Sequence, residues 1–139
     1  MHVSLNVVLA EDDKDYQEIF NNALTEVNIP TMLTVVSDGV ELMNILKSPD
    51  TPTYNIVVLD INMPKKDGIE CLKEIRQDRN LSSTFSVILT SSFDPLIKAN
   101  AFDAGANLFL TKPENFDEYV EAVRKILTSD WQMNLPIFF

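Results

Sequence analysis

Four places along this chain carry side chains that can handle a metal ion or a phosphoryl group. Glu11, Asp12 and Asp13 follow the apolar run Leu5–Ala10, and Asp60 and Asn62 follow an apolar run at 54–59. Thr90, Ser91 and Ser92 come after residues 84–89, and Thr111 and Lys112 after residues 106–110. Carboxylates brought close together repel one another, and a hard divalent cation relieves that repulsion. An oxygen-only ligand set favours Mg2+ or a similar ion such as Mn2+, and magnesium keeps positions open for water or phosphate. Lys112 can hold an anionic group as a point charge, and Thr90 can hold it as a hydroxyl donor. A carboxylate can itself attack phosphorus and form an aspartyl phosphate. These residue types therefore suit metal-assisted phosphoryl transfer, where catalysis is largely positioning and charge neutralisation.

Other chemistries lack their parts. There is no G-x-G-x-x-G and no Walker loop, and the only glycines are Gly39, Gly68 and Gly105. The single histidine, His2, lies near the start, so no Ser-His or Cys-His hydrolytic pair is available. The phosphoryl donor is expected to be a partner or a small molecule rather than bound ATP.

The acids and hydroxyls need elements to place them, and the hydrophobic pattern supplies these in alternation. Leu5–Ala10 is a short Val-containing run suited to a strand buried on both faces. Residues 13–28 carry one helical stripe, Tyr16, Ile19, Phe20, Ala23, Leu24 and Val27, closed by Pro30. A strand at 32–36 and a short helix at 38–46 follow, then the loop SPDTPT at 48–53. The strand at 54–59 ends at Asp60, and a helix over 67–77 turns Ile69, Leu72 and Ile75 inward. After the strand at 84–89, Asp94 and Pro95 predict a helix start, with Gly105 as its stop. A strand at 106–110 leads to a last helix opened by a capping box of Asn115 and Glu118. Five strands alternating with five helices predict an α/β fold, a parallel sheet covered on both faces.

The chain has 139 residues, enough for one domain with its own core. Its formal net charge of −10 disfavours nucleic acid as a partner. The single cysteine, Cys71, excludes an internal disulfide framework. No stretch approaches membrane-spanning length, and the start lacks a signal peptide, so no membrane association and a cytoplasmic location are expected. The tail at 130–139 holds Trp131, Leu135, Ile137, Phe138 and Phe139, too apolar to stay in water. It is expected to pack on its own domain or on a dimer partner, the two weighed equally.

VVLAEDD at 7–13, VVLDINMPKKDG at 57–68, ILTSS at 88–92 and FLTKP at 109–113 together resemble the receiver domains of two-component response regulators. Each piece alone is weak, but the set in this order, each at a strand end, is specific. The resemblance runs from about Val7 to Leu127. It implies a flavodoxin-like, doubly wound (βα)5 sheet in the order 2-1-3-4-5, with a receiver domain over 1–128 and the tail over 129–139. It implies Asp60 as phosphoacceptor, Asp12 as direct metal ligand, and Glu11 acting mainly through water. Asn62 would offer its backbone carbonyl to the metal. Thr90 would bond a phosphoryl oxygen, Lys112 would pair with its charge, and Phe109 would be the switch aromatic. A cis Lys112–Pro113 bond is usual in this family. The implied partner is a sensor histidine kinase, and the protein would be no turnover enzyme, only phosphorylating and slowly dephosphorylating itself. WQMNLP in the tail, with AGANLF before the lysine, is similar to stand-alone regulators paired with phytochrome kinases, a subgroup that tends to form homodimers.

Plainer readings stand beside these. Asp60 can be a helix-entry residue, and Glu11 and Asp12 can simply favour the positive end of the next helix. Three consecutive acids exceed what capping needs, and Asp13 is read as the helix-start residue. Phe109 can be ordinary core, Lys65 and Lys66 solvated charges, and Cys71 an inert helix residue. A receiver-like binding module that never carries phosphate is the main alternative function. A phosphohydrolase of the haloacid-dehalogenase type would want an acid where Asn62 stands.

Overall fold

In the computed structural model residues 4–129 are described, and they alternate strictly between strand and helix. The elements are β1 (Leu5–Ala10), α1 (Lys14–Val27), β2 (Thr31–Val36), α2 (Gly39–Lys47) and β3 (Ile56–Leu59), then α3 (Gly68–Gln77), β4 (Phe85–Thr90), α4 (Pro95–Ala104), β5 (Leu108–Thr111) and α5 (Phe116–Leu127). All strand pairs are parallel and the order is β2-β1-β3-β4-β5, the predicted topology. The residues expected to form the apolar tail, 130–139, lie outside the described residues. No helix among the described residues is long and apolar enough to cross a membrane.

Side chains alternate across a strand, so each buried strand feeds two cores. Val7, Leu9, Ile56 and Val58 point to the face covered by α1 and α5, where Phe20, Leu24, Val123 and Ile126 meet them. Val8, Val57 and Leu59 point to the other face, against Leu42, Leu72 and Ile75 of α2 and α3. Helix α4 is the lightest partner on that face, with only Ala101 and Ala104 buried.

Every helix opens on Asp or Asn: Asp13, Asp38, Asp67, Asp94 and Asn115 each accept a hydrogen bond from a first-turn backbone N–H. Four aspartates thus serve as helix caps, and Asp13 has the plain role expected of it. The predicted box at Asn115 and Glu118 forms only in its Asn115 half. A full reciprocal box forms instead at Asp67 and Glu70. Helix α1 ends at Val27, within one residue of the expected end. Asn28 takes the left-handed conformation, φ 59°, and its N–H closes on the Leu24 carbonyl. Strand β5 starts two residues later than predicted, because Gly105 and Asn107 are engaged elsewhere.

That engagement centres on Arg76. Its guanidinium donates to the carbonyls of Gly105, Thr84 and Ser82 and to Oδ1 of Asn107. Oδ1 of Asn107 also accepts from the Ser86 N–H at 2.8 Å. One side chain thereby ties α3 to the starts of β4 and β5 and to the end of α4, at the sheet edge opposite the acids. Burial lowers the Arg76 pKa from its ordinary value, which marks the desolvation that these carbonyls must offset. Arg76→Met is expected to cost about 2–3 kcal/mol in urea unfolding, because several mostly part-buried acceptors lose their donor at once. A loss below about 0.5 kcal/mol would show that water replaces the guanidinium freely.

Candidate functional site

Three backbone bonds carry the sheet ladder one residue past its strands and fix the acids and the lysine. The Glu11 N–H donates to the Val36 carbonyl, the Asp60 N–H to Ala10, and the Lys112 N–H to Thr90 at 2.7 Å. Strands β1, β3 and β5 therefore deliver Glu11, Asp60 and Lys112 to one edge. Gly68 makes this possible behind Asp60. A Cβ there would lie 2.4 Å from the Asp60 carbonyl oxygen, so any larger residue would push the β3–α3 loop away.

The Lys112 ammonium joins the acids. It donates to Asp60 Oδ2 at 2.8 Å and pairs with Glu11 Oε1 at 2.5 Å. All three are buried, yet Asp60 keeps 7 % of its surface exposed, enough for a small reactant to reach it. The other Asp60 oxygen, Oδ1, accepts from the Asn62 N–H at 3.3 Å. Glu11 Oε2 accepts from the Asp13 N–H at 3.1 Å. Thr90 is fully buried, and its hydroxyl has no hydrogen-bond partner. An orphaned buried hydroxyl costs free energy unless a ligand or water satisfies it, so Thr90 marks a place prepared for an acceptor.

Burial raises the Glu11 pKa, against the lowering by the Lys112 and Asp13 hydrogen bonds. Burial would lower Lys112, but its bonds to Asp60 and Glu11 outweigh that and hold it above its ordinary value. The ammonium stays charged and neutralises only one of two buried carboxylates.

The structure brings Glu11, Asp60, Thr90 and Lys112 to one edge. Asp12 and Asn62 lie on the exposed rim beside them. Phe109 is buried among the α2–α4 core residues, at 6 % exposure. The Lys112–Pro113 bond is trans, as are all peptide bonds among the described residues, which corrects the cis bond that the resemblance implied. Trans is the ordinary preference of an X–Pro bond. Cys71 is buried, and its thiol is pushed up to about 12, which fits the inert reading.

No three Asp, Glu, His or Cys side chains among the described residues form a ready metal cage, because Lys112 stands between two of the acids. The donor set nonetheless fits a divalent cation. It is all oxygen, it holds one uncompensated buried charge, and Asp12 adds another carboxylate on the rim. The Asn62 carbonyl accepts no backbone hydrogen bond among the described residues, so it too is available.

Two residues went unrecognised in the sequence. The Tyr16 ring centre lies 3.8 Å from the Lys112 ammonium, and Tyr119 stacks on Tyr16. Both border a cleft of about 570 Å3 next to Lys112, which also takes in Phe93 and Phe116. Their helical spacing marked both rings only as apolar stripe. Nothing in that spacing separates a ring facing core from a ring facing a cation 96 residues away.

The response regulator receiver domain family matches residues 7–124. Response regulator Rcp1 of Synechocystis sp. is 31% identical over 124 residues, covering 86% of this chain and 84% of its own. The phosphorylated cyanobacterial phytochrome response regulator RcpA superposes with a TM-score of 0.83 at 28% identity, over 91% of this chain and 96% of the other. The Mn(2+)-bound form of Rcp1 gives a TM-score of 0.79 at 30% identity, over 88% and 91%. Several longer relatives are matched over 50% of their own length. The fold, the strand-end acids and the match across most of the chain agree, and the chain belongs to the response regulator receiver domain family.

Proposed function

We propose that this receiver accepts a phosphoryl group on Asp60 in a magnesium-dependent reaction and thereby switches a protein-binding surface. The observation that carries the reading is the buried Lys112–Asp60 pair beside the unpartnered Thr90 hydroxyl. The donor is a phosphohistidine of a sensor histidine kinase. An Asp60 oxygen forms a bond to phosphorus as the P–N bond breaks, and the electron pair leaves with the imidazole nitrogen. Asp60 reacts as a carboxylate and gives up no proton. Lys112 offsets the charge of the incoming oxygens, and the Thr90 hydroxyl gains the acceptor it lacks. Glu11, Asp12, Asp60 and the Asn62 carbonyl would hold the Mg2+ (Mn2+ would serve as well). The ion supplies charge neutralisation at the transferring group.

The new phosphoryl adds charge and strong acceptors, and it biases an existing equilibrium of the α4, β5 and α5 face, with Phe109 as its aromatic reporter. The protein is not a turnover enzyme: it phosphorylates itself from a donor and slowly loses the group. Its similarity to the phytochrome response regulator RcpA supports a phytochrome-type kinase as partner; homodimer formation and a cytoplasmic location belong to the same reading. The net charge argues against nucleic acid as a target.

Incubation with acetyl phosphate and Mg2+ tests the reaction. The expected result is a mass gain of one phosphoryl group on the peptide holding Asp60, removed by hydroxylamine and prevented by EDTA. No gain under saturating donor and metal would leave the binding-module reading in its place.

A further inference from the structure

Lysine ammonium has three N–H donors, and two of those on Lys112 go to Glu11 and Asp60. Its neighbour beyond the carboxylates is the Tyr16 ring, 3.8 Å away at the centroid. The Lys112 side chain is 3 % exposed, so little water competes for that contact. A cation over an aromatic face gains more as it is desolvated. The ring is itself held: Tyr119, buried on α5, stacks on it with centroids 6.4 Å apart and planes at 22°. Tyr16 is only half-buried: it packs against the α1–α5 core on one side and borders the cleft on the other, where its ring meets the ammonium.

We infer that Tyr16 is a positioning residue for transfer to Asp60, its ring holding the Lys112 ammonium in place while that ammonium changes partners. The inference rests on the phosphoacceptor reading of Asp60. As an Asp60 oxygen bonds phosphorus and the P–O bond to acetate breaks, the electron pair leaves with acetate and the carboxylate becomes an acyl phosphate. Lys112 then loses an Asp60 carboxylate oxygen as partner and gains phosphoryl oxygens. A third carboxylate in the place of Tyr16 would compete with those oxygens for the ammonium. A neutral ring attracts the cation through its quadrupole and adds no rival charge, so it restrains Lys112 throughout the exchange. Tyr119 fixes the ring without touching the lysine's acidic partners by hydrogen bond.

The test varies the ring's quadrupole at nearly constant shape. Phenylalanine, difluorophenylalanine and trifluorophenylalanine are placed at position 16 of the full chain, and the initial rate of phosphorylation by acetyl phosphate with Mg2+ is measured by mass spectrometry. Tyr16→Phe is expected to keep the wild-type rate. The rate should then fall stepwise with fluorination, by about 2- to 30-fold in all, the span to which a cation–π contact converts. Melting temperatures should fall by a few degrees at most across the series, because the contact already exists in the unphosphorylated protein, and the graded rate, read well below the transition, is specific to the cation contact. A flat rate across the series overturns the inference. So does a Tyr16→Phe rate as low as that of Tyr16→Leu, which would assign the effect to the hydroxyl. A wild-type protein that gains no phosphoryl group fails differently: it removes the acceptor reading, and this inference with it.

Discussion

Asp60→Asn is expected to end phosphoryl labelling outright while the protein folds as before. The carboxamide keeps an oxygen to accept from Lys112, so the buried hydrogen bond at 2.8 Å has a replacement. It removes one of two buried negative charges, and the repulsion that Asp60 exerts on Glu11 goes with it. Lys112 retains Glu11 as counter-charge. Stability in urea should therefore be unchanged or higher, with an unchanged m-value. What disappears is the nucleophile, since a neutral amide does not form a stable acyl phosphate. Intact-mass analysis after acetyl phosphate and Mg2+ should show no phosphorylated species. Labelling that persists at the wild-type level would place the acceptor on another residue.

Lys112→Met should give the largest loss of stability, about 3–5 kcal/mol, since it removes one partner of a buried ionic cluster. The Glu11 and Asp60 side chains, 4 % and 9 % exposed, would face each other with no cation between them. The relief available is protonation, and Glu11, whose pKa burial already raises, is the group to take the proton. Combining Lys112→Met with Asp60→Asn leaves a single buried carboxylate. The double variant should recover part of the loss, a coupling of about 1–3 kcal/mol in the cycle. Added Mg2+ should raise the urea midpoint of Lys112→Met more than that of the wild type, because a ligand for the folded acid pair stabilises by mass action. A single-variant cost under about 1 kcal/mol would mean that the cluster is effectively hydrated, and it would remove the electrostatic account of this site.

The parts of this molecule that local chemistry decides were legible from the chain. Apolar runs of Val, Ile and Leu marked all five strands, and the residues just past them marked the site. Asp94-Pro95 and Gly105 bounded α4 as observed. The Asp67–Glu70 box carries the same three-residue spacing as Asn115–Glu118, and it was readable by that rule but passed over. Other features depend on distant chain segments. The Lys112–Asp60 bond joins residues 52 apart, and no periodicity announces it. The acids were read as awaiting a metal, while the structure shows an ammonium already between two of them. Nothing in the sequence singles out Arg76. Its role appears only once α3 lies beside the starts of β4 and β5, where carbonyls without strand partners converge on it.

Arg76 also has a mechanical consequence. Helix α4 is clamped at its C-terminal end, where the guanidinium grips the Gly105 carbonyl, and its only buried side chains are the two methyls of Ala101 and Ala104, with Ile97 and Phe102 partly buried beside them. Each such methyl contributes roughly 0.8 kcal/mol, little beside a strand such as β4 with all six residues buried. Its N-terminal end begins a few residues beyond Thr90. The helix is therefore anchored most firmly at its Arg76 end, while its first turn, next to the acidic edge, leaves Leu96 exposed.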